Sequence, residues 1–138
     1  MDWTLEVVAV PVADVDRAKD FYADKLRFNV DVDRQVTDDF RVVQLTPPGS
    51  GCSVTLLSAG SGMEPGSMSG LQLVVSDIRA AHAELAERGV EASEVQVFED
   101  GAPRPTRDDD ELDHAGFVFF KDPDGNSWAV QQISGRGR

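Results

Sequence analysis

The stretch VVAVPVADVDRAKDFYADKLRF (Val7–Phe28) decides the fold, because LQLVVSDIRAAHAELAERGV (Leu71–Val90) repeats its plan. Each stretch opens on a short run of Val and Leu, the mark of a buried strand. An aspartate follows in each, Asp14 and Asp77, where a helix N-cap belongs. A helical spacing follows: Ala18, Phe21, Tyr22, Lys25 and Leu26 mark one face in the first copy. Ile78, Ala81, His82 and Leu85 mark it in the second. The first helix is expected to run about three turns, and Gly89 to close the second as its left-handed C′ residue.

Further strands follow each helix. Asn29–Val36, Phe40–Leu45 and Ser53–Ser58 are expected in the first copy. Val90–Phe98, Ala115–Phe120 and Ser127–Ile133 are expected in the second. PPGSG and DPDG supply the turns, with Pro presetting φ and Gly accepting positive φ. Asp14 and Asp77 are 63 residues apart, Gly51 and Gly125 74 apart. The second copy therefore holds an insertion, placed in the polar stretch Glu99–Asp113, which reads as an exposed loop. The 74-residue shift lays Val43 on Phe117, Leu45 on Phe119, Val54 on Trp128 and Leu56 on Val130. Ala59–Gly70, rich in Gly and Ser, reads as a linker, and Ser134–Arg138 as a frayed tail.

The expected fold is α+β: one domain over residues 1–138, built of two tandem βαβββ modules. Module one spans 4–58, the linker 59–70, module two 71–133. Two mixed, mainly antiparallel sheets form an open barrel-like cup. Strand parity turns Val7, Ala9, Pro11, Thr55, Leu57, Gln72, Val74, Ala129 and Gln131 into the cup, joined by Gln44, Val118 and Phe120. Trp128 and Val130 are expected under the second helix. An apolar cup with a few neutral hydrogen-bonding groups suits a neutral or aromatic small molecule.

Composition narrows the partners. The chain has 138 residues and a net charge of −12, which argues against nucleic acid, since phosphate contacts need clustered Lys and Arg. An acidic balance would suit a cationic ligand. With one cysteine, Cys52, an intrachain disulfide is impossible, and a reducing compartment, the cytoplasm, is expected. The opening MDWTLEVVAV lacks a basic region and a long apolar run, so neither a signal peptide nor a membrane span is expected.

Together with FVFFKDPDGNSWAVQQI (Phe117–Ile133), the two quoted stretches resemble the vicinal oxygen chelate superfamily, the glyoxalase, bleomycin-resistance and extradiol-dioxygenase group. The resemblance covers Leu5–Ile133 and implies paired βαβββ modules, often in a homodimer. It also implies four metal-ligand positions. A His five residues before the Val of Val-x-Asp falls here on Val7 and Gly70. A Glu four residues past the hairpin Gly falls on Thr55 and Ala129. None is a normal ligand for a divalent metal, so no metal cofactor and no catalytic residue is expected. The reading that follows is a metal-free binding protein of the resistance type, which sequesters a small molecule.

Two alternatives stand beside it. One is a metal-dependent lyase, isomerase or dioxygenase with unusual ligands, for which His114 with Asp110, Glu111 or Asp113 is the candidate. The other is a non-catalytic structural dimer with a filled cup. His82 reads as structural on the second helix. Cys52 has no neighbouring group to lower its pKa, and reads as structural too.

Overall fold

A computed structural model describes residues 1–58 and 62–135. The first three linker residues and the last three of the tail lie outside them. The chain divides into two compact units. Unit 1 comprises Met1–Met68 together with Asp122–Asn126, and unit 2 comprises Ser69–Lys121 together with Ser127–Arg138.

Unit 1 holds β1 (Val7–Pro11), α1 (Val15–Asp20), β2 (Asn29–Thr37), β3 (Phe40–Thr46) and β4 (Ser53–Leu57). Its sheet has the order β1-β4-β3-β2, with β1 and β4 parallel and the other pairs antiparallel. Asp14 caps α1 as expected, its carboxylate accepting from Arg17 N at 3.1 Å. The helix is not three α-turns, however. After Asp20 it widens into a π-turn over Phe21–Lys25, and Leu26 N donates to Phe21 O at 3.1 Å. Such π-turns are rare and occur mostly as single turns within α-helices. Here the adjacent Phe21 and Tyr22 are both buried, with Leu26 and Phe28. The sheet contributes Val10, Val43, Leu45, Val54 and Leu56 to the buried residues of the unit, and α1 packs on β4.

Unit 2 holds β5 (Leu71–Val75), α2 (Ile78–Glu87), β6 (Gln96–Glu99), β7 (Ala102–Pro105), β8 (Phe117–Lys121) and β9 (Ser127–Gln132). The sheet order is β5-β9-β8-β6-β7, the order of unit 1 with one strand added. Asp77 caps α2 through Arg79 N and Ala80 N, both at 3.1 Å. Gly89 follows it at φ +76°. The helix packs on β8 and β9 and buries Ile78 and Leu85. Val118, Phe120, Trp128 and Val130 are also buried, so Trp128 and Val130 lie on the helix side as expected. Both units are thus α+β, each with a mixed, open sheet. No helix among the described residues is long and apolar enough to cross a membrane.

Two elements of unit 2 differ from expectation. The strand expected over Val90–Phe98 begins only at Gln96, because Ser93 takes over the preceding pairing. Its Oγ accepts from Phe119 N at 2.9 Å, and its N donates to Phe119 O at 2.8 Å. The stretch expected as a loop contains β7, paired antiparallel with β6. Asp100 and Gly101, at φ +53° and +81°, make the two-residue hairpin turn. Pro103 and Pro105 are tolerated because β7 is an edge strand.

The linker is not loose where it is described. Gly66 N donates to Pro11 O at 3.2 Å, and a Cβ on Gly66 would stand 2.1 Å from Asp124 O. No side chain fits that approach. The segment Asp122–Asn126, although it joins β8 to β9, is bound into unit 1. Tyr22 donates its hydroxyl to Asp122 Oδ2 at 2.7 Å. Asn126 Nδ2 donates to Pro11 O at 2.8 Å and its Oδ1 accepts from Met68 N at 3.0 Å. Asp124 Oδ1 accepts from Ala13 N and Arg17.

Candidate functional site

Each sheet keeps one face away from its helix, and strand register shows which side chains share it. In unit 1, Ala9, Thr55, Gln44 and Val32 are consecutive partners across β1, β4, β3 and β2. Val7 and Ser53 form the row on one side, Pro11 and Leu57 the row on the other. Ala9, Gln44, Thr55 and Leu57 are half-buried, Pro11 is buried, and Val7 is 46% exposed. All six expected residues of unit 1 therefore share one face. The polar groups among these six are neutral, and Thr55 Oγ1 donates to Val43 O at 3.3 Å; on the same face Thr46 donates its hydroxyl to the Asp31 carboxylate.

In unit 2, Phe119, Ala129 and Gln72 are consecutive partners across β8, β9 and β5, and the next row is Phe117, Gln131 and Val74. The expected Gln72, Val74, Ala129 and Gln131 are thus brought together. Val118 and Phe120 are not. They pair with Val130 and Trp128 and are 0% and 4% exposed on the helix side. The cause is one residue of loop. Six residues (47–52) join β3 to β4, but five (122–126) join β8 to β9. A 74-residue shift that fits β9 is therefore one residue out on β8, and a one-residue slip exchanges the faces.

The exchange brings in side chains that strand parity did not place there. Phe117 and Phe119 face the Ala129 side, and Phe98 of β6 joins them. The Phe117 and Phe119 rings are parallel with centroids 5.9 Å apart. Phe98 meets both edge-on, at 5.4 and 6.2 Å, and is 50% exposed. Amide groups complete the face. Gln72 Nε2 donates to Gln131 Oε1, and Gln131 Nε2 donates to His114 O at 2.9 Å. Phe119 also lines a cavity of about 310 Å³ with Glu91, Phe120, Lys121, Ser127 and Trp128.

The four expected metal positions do not fit a divalent ion. Val7 and Ala129 offer no donor, and Gly70 has no side chain. The Thr55 hydroxyl is engaged by a backbone carbonyl. His114 is the off-pattern candidate. It sits at φ +65° with its side chain 68% exposed and Nε2 3.7 Å from Asp113 Oδ2. Its acidic neighbours are held elsewhere. Arg104 grips Asp110 through both terminal nitrogens at 2.8 Å, and with the Arg107 N–H it holds that carboxyl far below the usual range. Ser134 binds Asp113 through its N–H and hydroxyl, at 2.6 and 2.7 Å, and lowers its pKa. Glu111 Oε1 accepts from Asp113 N. Among the described residues no three His, Cys, Asp or Glu side chains converge. His82 is half-buried on α2, and Cys52 Sγ lies 3.8 Å from Ser53 O.

Two mixed sheets with one helix each agree with the fold of the proteins this chain resembles. A sequence profile of the Glyoxalase/Bleomycin resistance protein/Dioxygenase superfamily matches residues 4–130. The chain belongs to that superfamily. Among solved structures, TnmS3, an antibiotic binding protein from Streptomyces sp. CB03234, is 32% identical with a TM-score of 0.75. The match covers 96% of this chain and 98% of that one. A glyoxalase/bleomycin resistance protein from the same strain is also 32% identical, covering 94% and 100%, with a TM-score of 0.71. A superfamily member from Sphaerobacter thermophilus DSM 20745 is 27% identical over 95% and 98%, with a TM-score of 0.73. No protein of curated function matches.

Proposed function

We propose that this superfamily member binds a small organic molecule of the antibiotic type, without a metal, and releases it unchanged. One observation carries the reading. Where the superfamily's metalloenzymes would place ligands, this chain has Val7, Thr55, Gly70 and Ala129. Three of these four residues lack a donor atom in the side chain, and the fourth is engaged. The sheet faces that carry them are half-open and lined by apolar, aromatic and amide groups. Surfaces of that kind hold ligands by burial, with polar groups fixing orientation. The likeness to TnmS3 supports a ligand of antibiotic type. We propose further that the chain acts as a homodimer. Trp3 and Leu5 are 89% and 73% exposed and lead into Val7 of the edge strand β1, an apolar stripe that suits a second copy.

The test is metal retention followed by ligand screening. Protein incubated with Zn, Ni, Mn and Fe(II) and then desalted should keep far less than one equivalent per chain. It should then hold members of an antibiotic library at equilibrium and return them chemically intact. One equivalent of retained metal, or turnover of a bound compound, would overturn the reading.

A further inference from the structure

The small side chain of Ala129 shapes the open face of unit 2. The residue stands on β9 between Phe119 of β8 and Gln72 of β5, in one row across the sheet. Neighbouring strands lie about 4.8 Å apart, so the backbones carrying Phe119 and Gln72 are separated by about 9.6 Å. A methyl group fills little of that gap. The row therefore has a notch, walled by an aromatic ring on one side and a primary amide on the other. Gln72 is exposed, and Ala129 and Phe119 are half-buried, so the notch is open to a ligand.

Its chemistry is specific. A planar ring laid over Ala129 would meet Phe119 at about one strand spacing, within the range of favourable ring pairs. Phe117 and Phe98 hold Phe119 in place by ring contacts. Gln131 fixes Gln72 by accepting its Nε2–H while itself donating to His114 O. That relay leaves Gln72 Oε1 as an acceptor without a hydrogen bond among the described residues. The rows through Phe119 and Phe117 contain no titratable side chain. The charge that follows on this face is Lys121, paired with Ser127 one row further. Lys121 is countered by Glu91, which lines the Phe119 cavity with it, so this face carries no net charge to offset the desolvation of a cation.

We propose that the notch over Ala129 seats a planar aromatic ring bearing a neutral hydrogen-bond donor, and that it disfavours cationic ligands. This rests on the binding reading above and narrows it to a substrate class and three residues: Ala129 as the seat, Phe119 as the ring wall, Gln72 as the acceptor.

The experiment uses three probes on the full chain: 2-naphthol, naphthalene and 2-naphthylmethylammonium. Calorimetry and amide shifts at Ala129 and Gln72 read the binding. 2-Naphthol is expected to bind at least tenfold more tightly than either companion. Ala129→Leu should weaken it at least tenfold with an unchanged melting temperature, and Ala129→Val should weaken it less. Gln72→Leu should remove the preference for 2-naphthol over naphthalene while leaving naphthalene binding as it was. Tightest binding of the ammonium probe, or full affinity in a folded Ala129→Leu variant, overturns the proposal and leaves the binding reading standing. So does a library compound held by protein that ignores all three probes. If no probe and no library compound is held, both fall.

Discussion

Tyr22 shows how much a single buried group can carry. Its ring is fully buried, edge-on to Phe21 at 5.3 Å, and its hydroxyl reaches Asp122, 100 residues away, at 2.7 Å. Tyr22→Phe keeps the ring and leaves a carboxylate oxygen one donor short. A loss of about 2 kcal/mol is expected, read as a lower urea midpoint with an unchanged slope. Asp33 offers a different test. Arg41 grips both its oxygens at 2.9 Å and Lys19 adds a contact at 2.6 Å. Arg41 first, then Lys19, hold that carboxyl far below its ordinary value. A depressed folded pKa contributes stability that is present above the unfolded value near 4 and lost as pH falls below it. Asp33→Asn should therefore lower the melting temperature at pH 7, and the gap from wild type should narrow as the pH is taken down towards 2. A gap that widens on acidification would refute the assignment.

At the scale of elements, β8 is the informative strand. Its sequence FVFFK is apolar on both sides, so hydrophobic pattern alone does not say which face meets the helix. Register decides, and register here hangs on a connection one residue shorter than its counterpart. Phe120→Ala, at 4% exposure, should cost about 4 kcal/mol. Phe98→Ala on the open side should cost less than about 1 kcal/mol. Equal losses in the two variants would mean that the faces are assigned wrongly. Other elements were plainly legible. Capping aspartates and the period of α2 are local signals, and both hold. The Asp100-Gly101 turn was legible too, as a two-residue hairpin signal, but the prolines beside it pointed to a loop. The π-turn after α1 was not legible, because it answers to what Phe21 and Tyr22 pack against rather than to local propensity. The open face of unit 1 could be read from parity, since β3 and β4 alternate between buried and half-buried residues over Val43–Thr46 and Val54–Leu57.

At the scale of the whole molecule, the proposed dimer has a direct readout. Trp128 is buried and Trp3 is almost fully exposed, so tryptophan emission on dilution reports mainly on the N-terminal stripe. A concentration-dependent blue shift is expected, lost in a Trp3→Ser, Leu5→Ser variant that sediments as a monomer. Emission and sedimentation that do not change with concentration would remove the argument for self-association.

The clasp around Asp122–Asn126 bears on how the protein is made. Most of unit 1 precedes unit 2 in the chain, yet five of its residues arrive only after Ser69–Lys121 of unit 2 have been synthesised. Until then Tyr22 OH and the N–H groups of Ala13 and Met68 lack the acceptors they have in the finished fold. Domains often fold in order as they leave the ribosome. Here the earlier half must wait for part of the later one, so the last contacts of unit 1 form only once β8 and the turn after it have been made.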